Sequence, residues 1–598
     1  MPTPRRSARP VPRHGGWRSL AGAGRRVLSP RGALSLRDAE GSLLFAARAA
    51  LAVGLIAVPL VWTGRPGLAV YAMLGAFTTT FGRDLPYARR SRVLAVTAVA
   101  MTACVGCGAA LAAWAGPGDA GAVAVVVAAT ALVAGAAKFA CDATRLRGLG
   151  AIMLLFSFAV AANGPATGAD VLPFTALAAA GAASAWLLAA ADWLVHPHRP
   201  QRLAVATALR RVAGLLETED AGSVPRHTRH RATVAVLHAY QCLGYPPPAA
   251  AARTGPARDA VFMRLTDLCW ALLVESERAT LGAPARTAHH LRRQARLLGV
   301  RHRRVLVLPE LRSRLDATAP FQEIEEGGES GPARAPAVSA DTAALRATEL
   351  LIGPTGSSRH YGPLVVSAVR MTLGTGAAGG LAVLLDLEHG YWAAISAAAV
   401  LHSVNLRTTA QRAAQRALGT AVGLLLALAV LGARPEALVL VLAIVGLEFL
   451  LECVVARNYG LGVVFLTPLA LLLSDLSTPA PAGELILDRV LGSGLGIVVG
   501  LVCALLVVHD RAAVRVDHAL AACTEAADLA ERSLAGSGGP RPSPVQMRLA
   551  AAAVELREAD DAAAGELLPA GIDPSRLAAA ERRAYELLGR LDRRGPGR

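Results

Sequence analysis

The chain has 598 residues, of which 54% are hydrophobic and 18% charged, and it carries a formal net charge of +17. This composition excludes a disordered chain, a collagen and a disulfide-rich scaffold, and it argues against a soluble enzyme. Nearly all basic residues are arginines, which crowd the N-terminal tail and the edges of apolar runs rather than a surface rich in aromatic residues. No nucleic-acid partner is therefore predicted.

In chain order, residues 1–40 form a basic arm with several prolines and glycines and without the apolar core of a signal peptide. We expect a disordered cytosolic segment that contacts anionic lipid headgroups. Residues 41–197 then hold runs of about 15 to 25 residues with almost no charge, long enough to cross a bilayer. They predict a first membrane block with six spans near 43–62, 67–82, 93–115, 121–141, 149–163 and 171–195.

The middle of the chain is more polar than this block. Residues 198–320 have helical periodicity and predict a cytosolic helical domain, and the acidic, glycine-rich residues 321–360 predict a flexible linker. Residues 361–509 predict a second membrane block, and residues 510–598 predict a cytosolic helical tail. The spans of the second block are expected near 364–386, 391–405, 417–432, 436–455, 461–474 and 486–508.

The distribution of arginine between the loops predicts the direction of the spans. With a cytosolic N-terminus, the outer loops hold only Arg65 and Arg434. The inner loops then hold Arg83, Arg89, Arg90, Arg92, Arg145, Arg147, Arg407, Arg412, Arg416 and Arg457. The positive-inside rule therefore predicts a multi-pass protein of the inner (cytoplasmic) membrane with both termini in the cytosol. Tryptophans at predicted span ends are expected at the membrane interface, namely Trp62, Trp114, Trp193 and Trp392.

The two blocks look like copies of one unit in parallel orientation. Arg48 and Arg370 each lie about two turns into the first span of their block. Cys141 and Cys453 each precede a Gly-Leu-Gly segment. We therefore predict an all-α polytopic membrane protein with about twelve transmembrane helices, arranged as two parallel six-helix repeats, plus helical cytosolic domains. Spans two and five of each block are short, and short spans at matching places of two repeats point to a translocation site.

Ionisable residues inside predicted spans are the candidates for chemistry, because they are costly to place in lipid. If the two copies pack around a pseudo-twofold axis, Arg48 and Arg370 could share a cavity and hold a carboxylate; otherwise they snorkel toward the inner headgroups. Glu448 and Glu452 share one helical face, where a low dielectric favours protonation and would couple flux to a proton gradient. The alternative for these carboxylates is an ion pair with Arg370, Arg457 or another neighbour.

Other features favour packing over chemistry. Gly492, Gly496 and Gly500 repeat the GxxxG pattern and predict a close helix contact. Asp386 and Arg489 could form an exit gate, but we favour interfacial positions for both. The sequence contains no Gly-Lys-Ser/Thr phosphate-binding loop and no zinc motif. No cofactor, metal or enzymatic activity is therefore predicted, and the eight cysteines are expected to form no disulfide.

Two stretches of the second block carry a resemblance to a known family. The residues concerned are the segment 391–400 (Tyr-Trp-Ala-Ala-Ile-Ser-Ala-Ala-Ala-Val), Arg407, Arg412, the segment 416–423 and the segment 457–468, which ends in Thr-Pro. They closely resemble the fusaric acid resistance (FUSC-like) family, which is related to aromatic acid exporters. The resemblance is dense over about 365–510 and weaker in the first block, which lacks the Tyr-Trp and Thr-Pro pairs.

The resemblance implies a proton-coupled exporter of aromatic or other amphipathic organic anions across the cytoplasmic membrane. On this interpretation Tyr391, Trp392 and Thr467 join Arg48 and Arg370 in substrate binding. A passive organic-anion channel, a major-facilitator-type transporter and a non-transporting membrane scaffold remain as alternatives. The expected partners are the small organic anion and the lipid bilayer, while a homo-oligomer and an envelope adaptor protein are left open.

Overall fold

The computed structural model of the protein is helical throughout the part of the chain that it describes. That part comprises residues 42–83, 85–116, 120–144, 146, 150–195, 197–220, 226–244, 257–276, 284–299, 307–318, 362–403, 405–506, 511–534, 544–566 and 573–593. The predicted basic arm 1–40 and the predicted linker 321–360 lie outside the described residues.

The apolar helices of the described residues form two groups of six, which together we call the membrane region. The first group comprises α1 (Ser42–Trp62), α2 (Pro66–Ala76), α3 (Tyr87–Ala115), α4 (Ala120–Ala143), α5 (Gly150–Ala162) and α6 (Val171–Val195). The second group comprises α12 (Gly362–Leu384), α13 (Tyr391–Leu401), α14 (Leu406–Gly432), α15 (Ala437–Val454), α16 (Tyr459–Ser477) and α17 (Ala482–Leu506). We call these groups the first half and the second half.

The remaining helices belong to a separate helical domain. They are α7 (Arg199–Asp220), α8 (Arg226–Leu243), α9 (Ala257–Glu275), α10 (Pro284–Gly299), α11 (Pro309–Thr318), α18 (Arg511–Ser533), α19 (Pro544–Ala563) and α20 (Pro574–Arg593). The central and C-terminal helices share one hydrophobic core. Within it, the Thr233 hydroxyl on α8 lies 3.1 Å from the Tyr585 hydroxyl on α20.

Within the described ranges, nine helices are long and apolar enough to cross a membrane. They are α1, α3, α4, α6, α12, α14, α15, α16 and α17. Their side chains leave many large apolar residues on the outer surface, such as Leu132 and Leu425, which are 64% and 68% exposed. Such a surface requires a lipid environment, so the chain is an all-helical, multi-pass membrane protein.

Three helices of the membrane region are too short to cross it alone. α2 and α13 have 11 residues each and α5 has 13, which corresponds to roughly 16 to 20 Å against a hydrocarbon core of about 30 Å. All but one residue of α5 and all but one of α13 are buried. The neighbouring helices therefore enclose α5 and α13 almost completely.

The fourth predicted short span is longer than expected. The side chain of Asn458 accepts hydrogen bonds from the backbone N–H groups of Gly460 and Leu461 and so starts α16 two residues earlier than predicted. Pro468 does not end the helix, which continues to Ser477 and reaches 19 residues. The backbone carbonyl oxygen of residue 464, which Pro468 cannot pair, lies directly against Gly423 of α14.

α14 also begins earlier than the sequence suggested. Asn405 and Thr408 form a capping box, in which the Asn405 side chain accepts from the Thr408 backbone N–H. The polar residues 406–416, predicted as a loop, are therefore the first three turns of a membrane helix. The prediction of Arg416 as a loop residue was wrong, because this helix carries it into the protein interior.

The two halves contact each other through two equivalent sets of helix pairs. α1 packs on α15, and α12 packs on α4, so the first helix of each half meets the fourth helix of the other. In these contacts Gly54 faces Val445 and Gly376 faces Ala131. In the same way α2 packs on α16 and α5 packs on α13. The short helices of one half therefore lie against the fifth or second helix of the other.

Glycines set the closest of the helix contacts. Gly492, Gly496 and Gly500 of α17 lie against Trp392, Ala393 and Val400 of α13, as the GxxxG pattern predicts. A side chain at Gly496 would collide with the backbone carbonyl of Ala393, so only glycine permits this approach.

The helical domain contacts the membrane region where α14 begins. The Asn405 side-chain amide donates to the Ala562 carbonyl oxygen at 3.1 Å, and the Arg407 N–H donates to the Gly565 carbonyl oxygen at 3.0 Å. We call this side of the membrane region the domain face and the opposite side the far face. Since short connections make successive helices antiparallel, α15 ends at the domain face. Arg83, just before α3, donates to the Glu452 carbonyl oxygen at that end, so α1 and α3 run from the domain face to the far face.

Candidate functional site

Two arginines are buried in the interior of the second half. Arg416 on α14 and Arg489 on α17 are each 1% exposed and rank among the largest fully buried side chains of the described residues. Both helices pack on the short helix α13. We call these two residues the arginine pair.

Arg416 contacts hydroxyl groups from two neighbouring helices. Its Nη2 atom donates to the Ser396 hydroxyl on α13 at 3.1 Å, and its Nη1 atom donates to the Tyr459 hydroxyl on α16 at 3.4 Å. Its Nε atom is buried without a hydrogen-bond acceptor. The guanidinium is therefore held in place while one of its donors is unused.

Arg489 contacts an aromatic ring instead. Its guanidinium carbon lies 3.7 Å from the centre of the Trp392 ring, in the geometry of a cation–π interaction. Its Nε and Nη1 atoms are buried without acceptors. Arg416, Tyr391 and Tyr459 are close enough to interact electrostatically with it. Because Trp392 and Ser396 lie one turn apart on α13, the two guanidiniums face successive turns of the same helix.

No carboxylate neutralises the arginine pair within the described residues. Neither arginine forms an ion pair with a described aspartate or glutamate. Burying two positive charges without a counter-ion costs several kcal/mol each, because the hydroxyl groups and the Trp392 ring replace only part of the lost hydration. A bound anion would remove this cost, because guanidinium N–H groups donate charge-assisted hydrogen bonds to the oxygens of a carboxylate or sulfonate.

Aromatic rings from both halves surround the arginine pair. The rings of Tyr391 and Trp392 have centres 4.7 Å apart, and Phe156 of α5 lies 6.0 Å from Trp392. The Tyr391 hydroxyl lies 3.4 Å from the Ser474 hydroxyl of α16. The surroundings therefore offer flat apolar surfaces beside two cationic groups, a combination that suits an anion with an aromatic ring.

The second half also matches a known family. Residues 377–503 match the family model described as fusaric acid resistance protein-like. This segment contains the arginine pair, Tyr391, Trp392 and Thr467. The second half thus carries a fusaric acid resistance protein-like domain. Over 543 residues the chain is 24% identical to the uncharacterised membrane protein YvaC of Bacillus subtilis (strain 168), covering 89% of this chain and 83% of that protein. No solved structure matches the chain.

Of the residues predicted to bind substrate, Tyr391 and Trp392 lie beside the arginine pair of the fusaric acid resistance protein-like domain. Trp392 was also expected at the membrane interface, which is wrong, since it is only 2% exposed. Thr467 on α16 is fully buried, its hydroxyl has no hydrogen-bond partner, and Gly423 of α14 packs on it. The structure therefore places it in the core of the domain.

Arg370 lies at the domain-face end of α13. Its Nη2 atom donates to the carbonyl oxygens of Leu401 at 3.1 Å and Ser403 at 2.8 Å. These carbonyls belong to the last residue of the short helix and the connection after it, where helical partners are missing. Arg370 therefore holds the end of α13 in place.

Arg48 lies at the domain-face end of α1, in the first half. Its guanidinium is 4.9 Å from the Phe45 ring centre, and those of Arg83 and Arg90 are 4.6 and 5.7 Å from the same ring. The described contacts of Arg48 and Arg370 thus lie in different surroundings, one in each half.

The two predicted proton-coupling residues differ in their partners. Glu448 and Glu452 both lie on the buried side of α15, at 0% and 3% exposure. A carboxylate oxygen of Glu452 lies 3.8 Å from Nη1 of Arg83, the kind of neighbour that the sequence had left unspecified. Both oxygens of Glu448 are buried without a hydrogen-bond donor. The ionised form of Glu448 is therefore stabilised by fewer neighbouring groups than the ionised form of Glu452.

Asp386 and Arg489 do not form the pair that was considered as an exit gate. Asp386 is exposed in the turn after α12 and has a φ of 51°, whereas Arg489 is buried. The acidic residue that ties α17 to this turn is Asp488, whose Oδ2 lies 2.7 Å from Nδ1 of His389. The exposed residue Glu388 lies near this half-buried pair. The contact between His389 and Asp488 fixes the far-face end of α17 beside the arginine pair.

Sequence reasoning missed the arginine pair itself. Arg416 was assigned to a loop and Arg489 to the interface, although the Asn-x-x-Thr capping pattern at Asn405 was visible and would have extended α14 through Arg416.

Proposed function

We propose that this protein is a proton-coupled exporter of aromatic or other amphipathic organic anions across the cytoplasmic membrane, and that the arginine pair binds the anion. The observation that carries the proposal is that Arg416 and Arg489 are each 1% exposed, yet have no carboxylate partner among the described residues. Structural arginines at such depth are normally paired.

The surroundings of the pair indicate the class of substrate. A carboxylate or sulfonate would accept hydrogen bonds from the unused donors, namely Nε and Nη1 of Arg489 and Nε of Arg416. An attached ring would lie among Trp392, Tyr391 and Phe156. An inorganic anion would use the donors but leave these apolar walls without a partner, so an amphipathic anion fits better.

Glu448 is the proposed proton carrier. Its helix α15 packs on α1 in the contact between the halves, so the charge on Glu448 bears on how closely the halves can approach. The protonated side chain can be buried in a dry contact, whereas the ionised one requires water or a cation. Proton binding and release would therefore favour different arrangements of the halves.

We further propose that the halves are parallel six-helix repeats and that all twelve helices belong to the membrane region. The matched contacts of α1 with α15 and of α12 with α4 support this arrangement, and the short α2, α5 and α13 complete it. Rocking of the halves about their contact would open the site to each side in turn. The arginines Arg48, Arg83 and Arg90 at the domain face support a cytosolic helical domain and cytosolic termini.

A flux assay in liposomes tests this function. The purified full-length protein is reconstituted with an acidic lumen, the voltage is clamped with potassium and valinomycin, and labelled benzenesulfonate is added outside. A pH difference of one unit, worth about 1.4 kcal/mol per proton, supports roughly tenfold accumulation in the acidic lumen at one-to-one exchange. Sulfonates stay ionised, so passive entry as a neutral acid does not interfere.

Two results would contradict the proposal. Benzenesulfonate that equilibrates across the membrane irrespective of the pH difference identifies a passive anion channel. No protein-dependent flux of any aromatic carboxylate or sulfonate, with the protein shown to be folded, supports the scaffold alternative. The matched neutral compound, benzenesulfonamide, serves as the control and should not accumulate.

A further inference from the structure

The first half contains a pair of side chains at the same place as Trp392 and Arg489. In the second half, Gly496 of α17 faces the Ala393 carbonyl, Trp392 precedes Ala393, and Arg489 lies seven residues before Gly496. In the first half, Gly181 of α6 faces the Ala72 carbonyl, Tyr71 precedes Ala72, and Phe174 lies seven residues before Gly181. Tyr71 and Phe174 are therefore the counterparts of Trp392 and Arg489.

The two pairs make the same contact with different chemistry. The rings of Tyr71 and Phe174 are stacked with centres 3.7 Å apart, and the Arg489 guanidinium lies 3.7 Å from the Trp392 ring centre. The first half thus has an apolar ring where the second half has a cation. A site at Tyr71 and Phe174 can contact an aromatic ring, but it must find its positive charge elsewhere.

Arg65 supplies a positive charge in the lining of a cavity beside the stacked rings. The cavity has a volume of about 290 Å³ and is lined by Tyr71, Phe174, Leu68, Pro165, Ser477 and Arg65. Arg65 lies in the connection between α1 and α2 at the far face and is exposed. This volume is at the small end of the roughly 300 to 1,000 Å³ usual for small-molecule sites, which suits an acid with a single ring.

The cavity is joined to the arginine pair by α16. Ser477, in its wall, is the last residue of α16. One turn earlier on the same helix, the Ser474 hydroxyl lies 3.4 Å from the hydroxyl of Tyr391, which adjoins Trp392. The C-terminal turn of α16 also packs on Gly67 of α2. The end of α16 thus lies in the wall of the cavity and within one turn of a hydroxyl that contacts the aromatic surroundings of the arginine pair.

We propose that the cavity is a second binding site for the exported aromatic anion, from which it is released at the far face. Its ring packs on Tyr71 and Phe174, and its acidic group is bound by Arg65. The inference rests on the proposed function. It predicts that affinity from the far side depends on both the ring and the charge, whereas the arginine pair governs transport as a whole.

The test measures exchange of labelled for unlabelled anion in liposomes whose helical domain faces the lumen, as checked by protease protection. Arg65→Gln is expected to raise the external KM about fivefold to tenfold for benzenesulfonate and for methanesulfonate, since both carry the charge. Phe174→Leu should raise the external KM about fivefold for benzenesulfonate only, since methanesulfonate has no ring to stack. Arg434→Gln, at an exposed far-face arginine of the second half, is the matched control and should change neither.

Unchanged external KM values in both Arg65→Gln and Phe174→Leu would overturn the second site. Arg65→Gln alters an exposed residue, so it decides the question even if Phe174→Leu fails to fold. A failure of the proposed function looks different, because Arg489→Gln would then exchange benzenesulfonate as fast as the wild type.

Discussion

Replacing Arg489 with glutamine is expected to lower the kcat/KM for aromatic anion transport at least 100-fold, which corresponds to about 2.7 kcal/mol. The guanidinium is buried against Trp392 with two unused donors, so an anion would meet it without water between them. Glutamine keeps hydrogen-bonding capacity but removes the charge. Arg416→Gln is expected to act in the same direction, while Arg489→Lys should retain the positive charge beside Trp392 but not the two separate donor atoms Nε and Nη1.

Arg489→Gln is not expected to lower the stability of the ligand-free protein, although it should lower transport. Removing a buried charge that has no counter-ion should leave the Tm of the ligand-free protein unchanged or raise it, because the desolvation cost disappears. The rise in Tm caused by benzenesulfonate should vanish at the same time. The control is Arg434→Gln, which removes an exposed charge. Wild-type transport by Arg489→Gln would show that the anion binds elsewhere.

Glu448→Gln is expected to abolish accumulation driven by a pH difference, while exchange of anion for anion continues. Glutamine resembles the protonated glutamate and cannot release a proton, so the site should remain in the neutral state. In the liposome assay the tenfold accumulation expected for the wild type should fall to equality of the two sides. Measuring both modes on one preparation separates a loss of coupling from a loss of folding.

The matched control for Glu448→Gln is Glu484→Gln, at an exposed position in the first turn of α17. Glu452→Gln is informative as well, because Glu452 lies 3.8 Å from Arg83, whereas Glu448 has no such partner among the described residues. If Glu448→Gln still accumulates benzenesulfonate tenfold, the proton is carried by another group. If it loses exchange as well as accumulation, Glu448 has a structural role.

Much of the fold follows from the sequence because long apolar runs must be helical in lipid. The ends of the helices depend on capping residues, which are harder to recognise in a sequence than an apolar run. Asn405 and Thr408 start α14 within a polar segment, and Asn458 starts α16 ahead of its apolar run. The shared core of the central and C-terminal helices joins segments about 200 residues apart, a distance that no local pattern spans.

The site was predictable only in part, for a related reason. Tyr391 and Trp392 belong to a motif that can be recognised, whereas Arg416 resembles the loop arginines that set topology. Only the start of α14 shows that Arg416 lies inside the membrane region. Arg370 was a reasonable candidate by depth alone, but its contacts with Leu401 and Ser403 depend on where α13 ends. Burial and hydrogen-bond partners, rather than residue type, distinguish Arg416 from Arg370.

The proposed transport requires that the arginine pair bind the acidic group of the substrate. Calorimetric titration of benzenesulfonate into the full-length protein in detergent tests it most directly, with the double variant Arg416→Gln/Arg489→Gln for comparison. We expect saturable binding of benzenesulfonate to the wild type, weaker binding of methanesulfonate, and a loss of at least 100-fold in benzenesulfonate affinity in the double variant. Equal affinity of the wild type and the double variant for benzenesulfonate would contradict it.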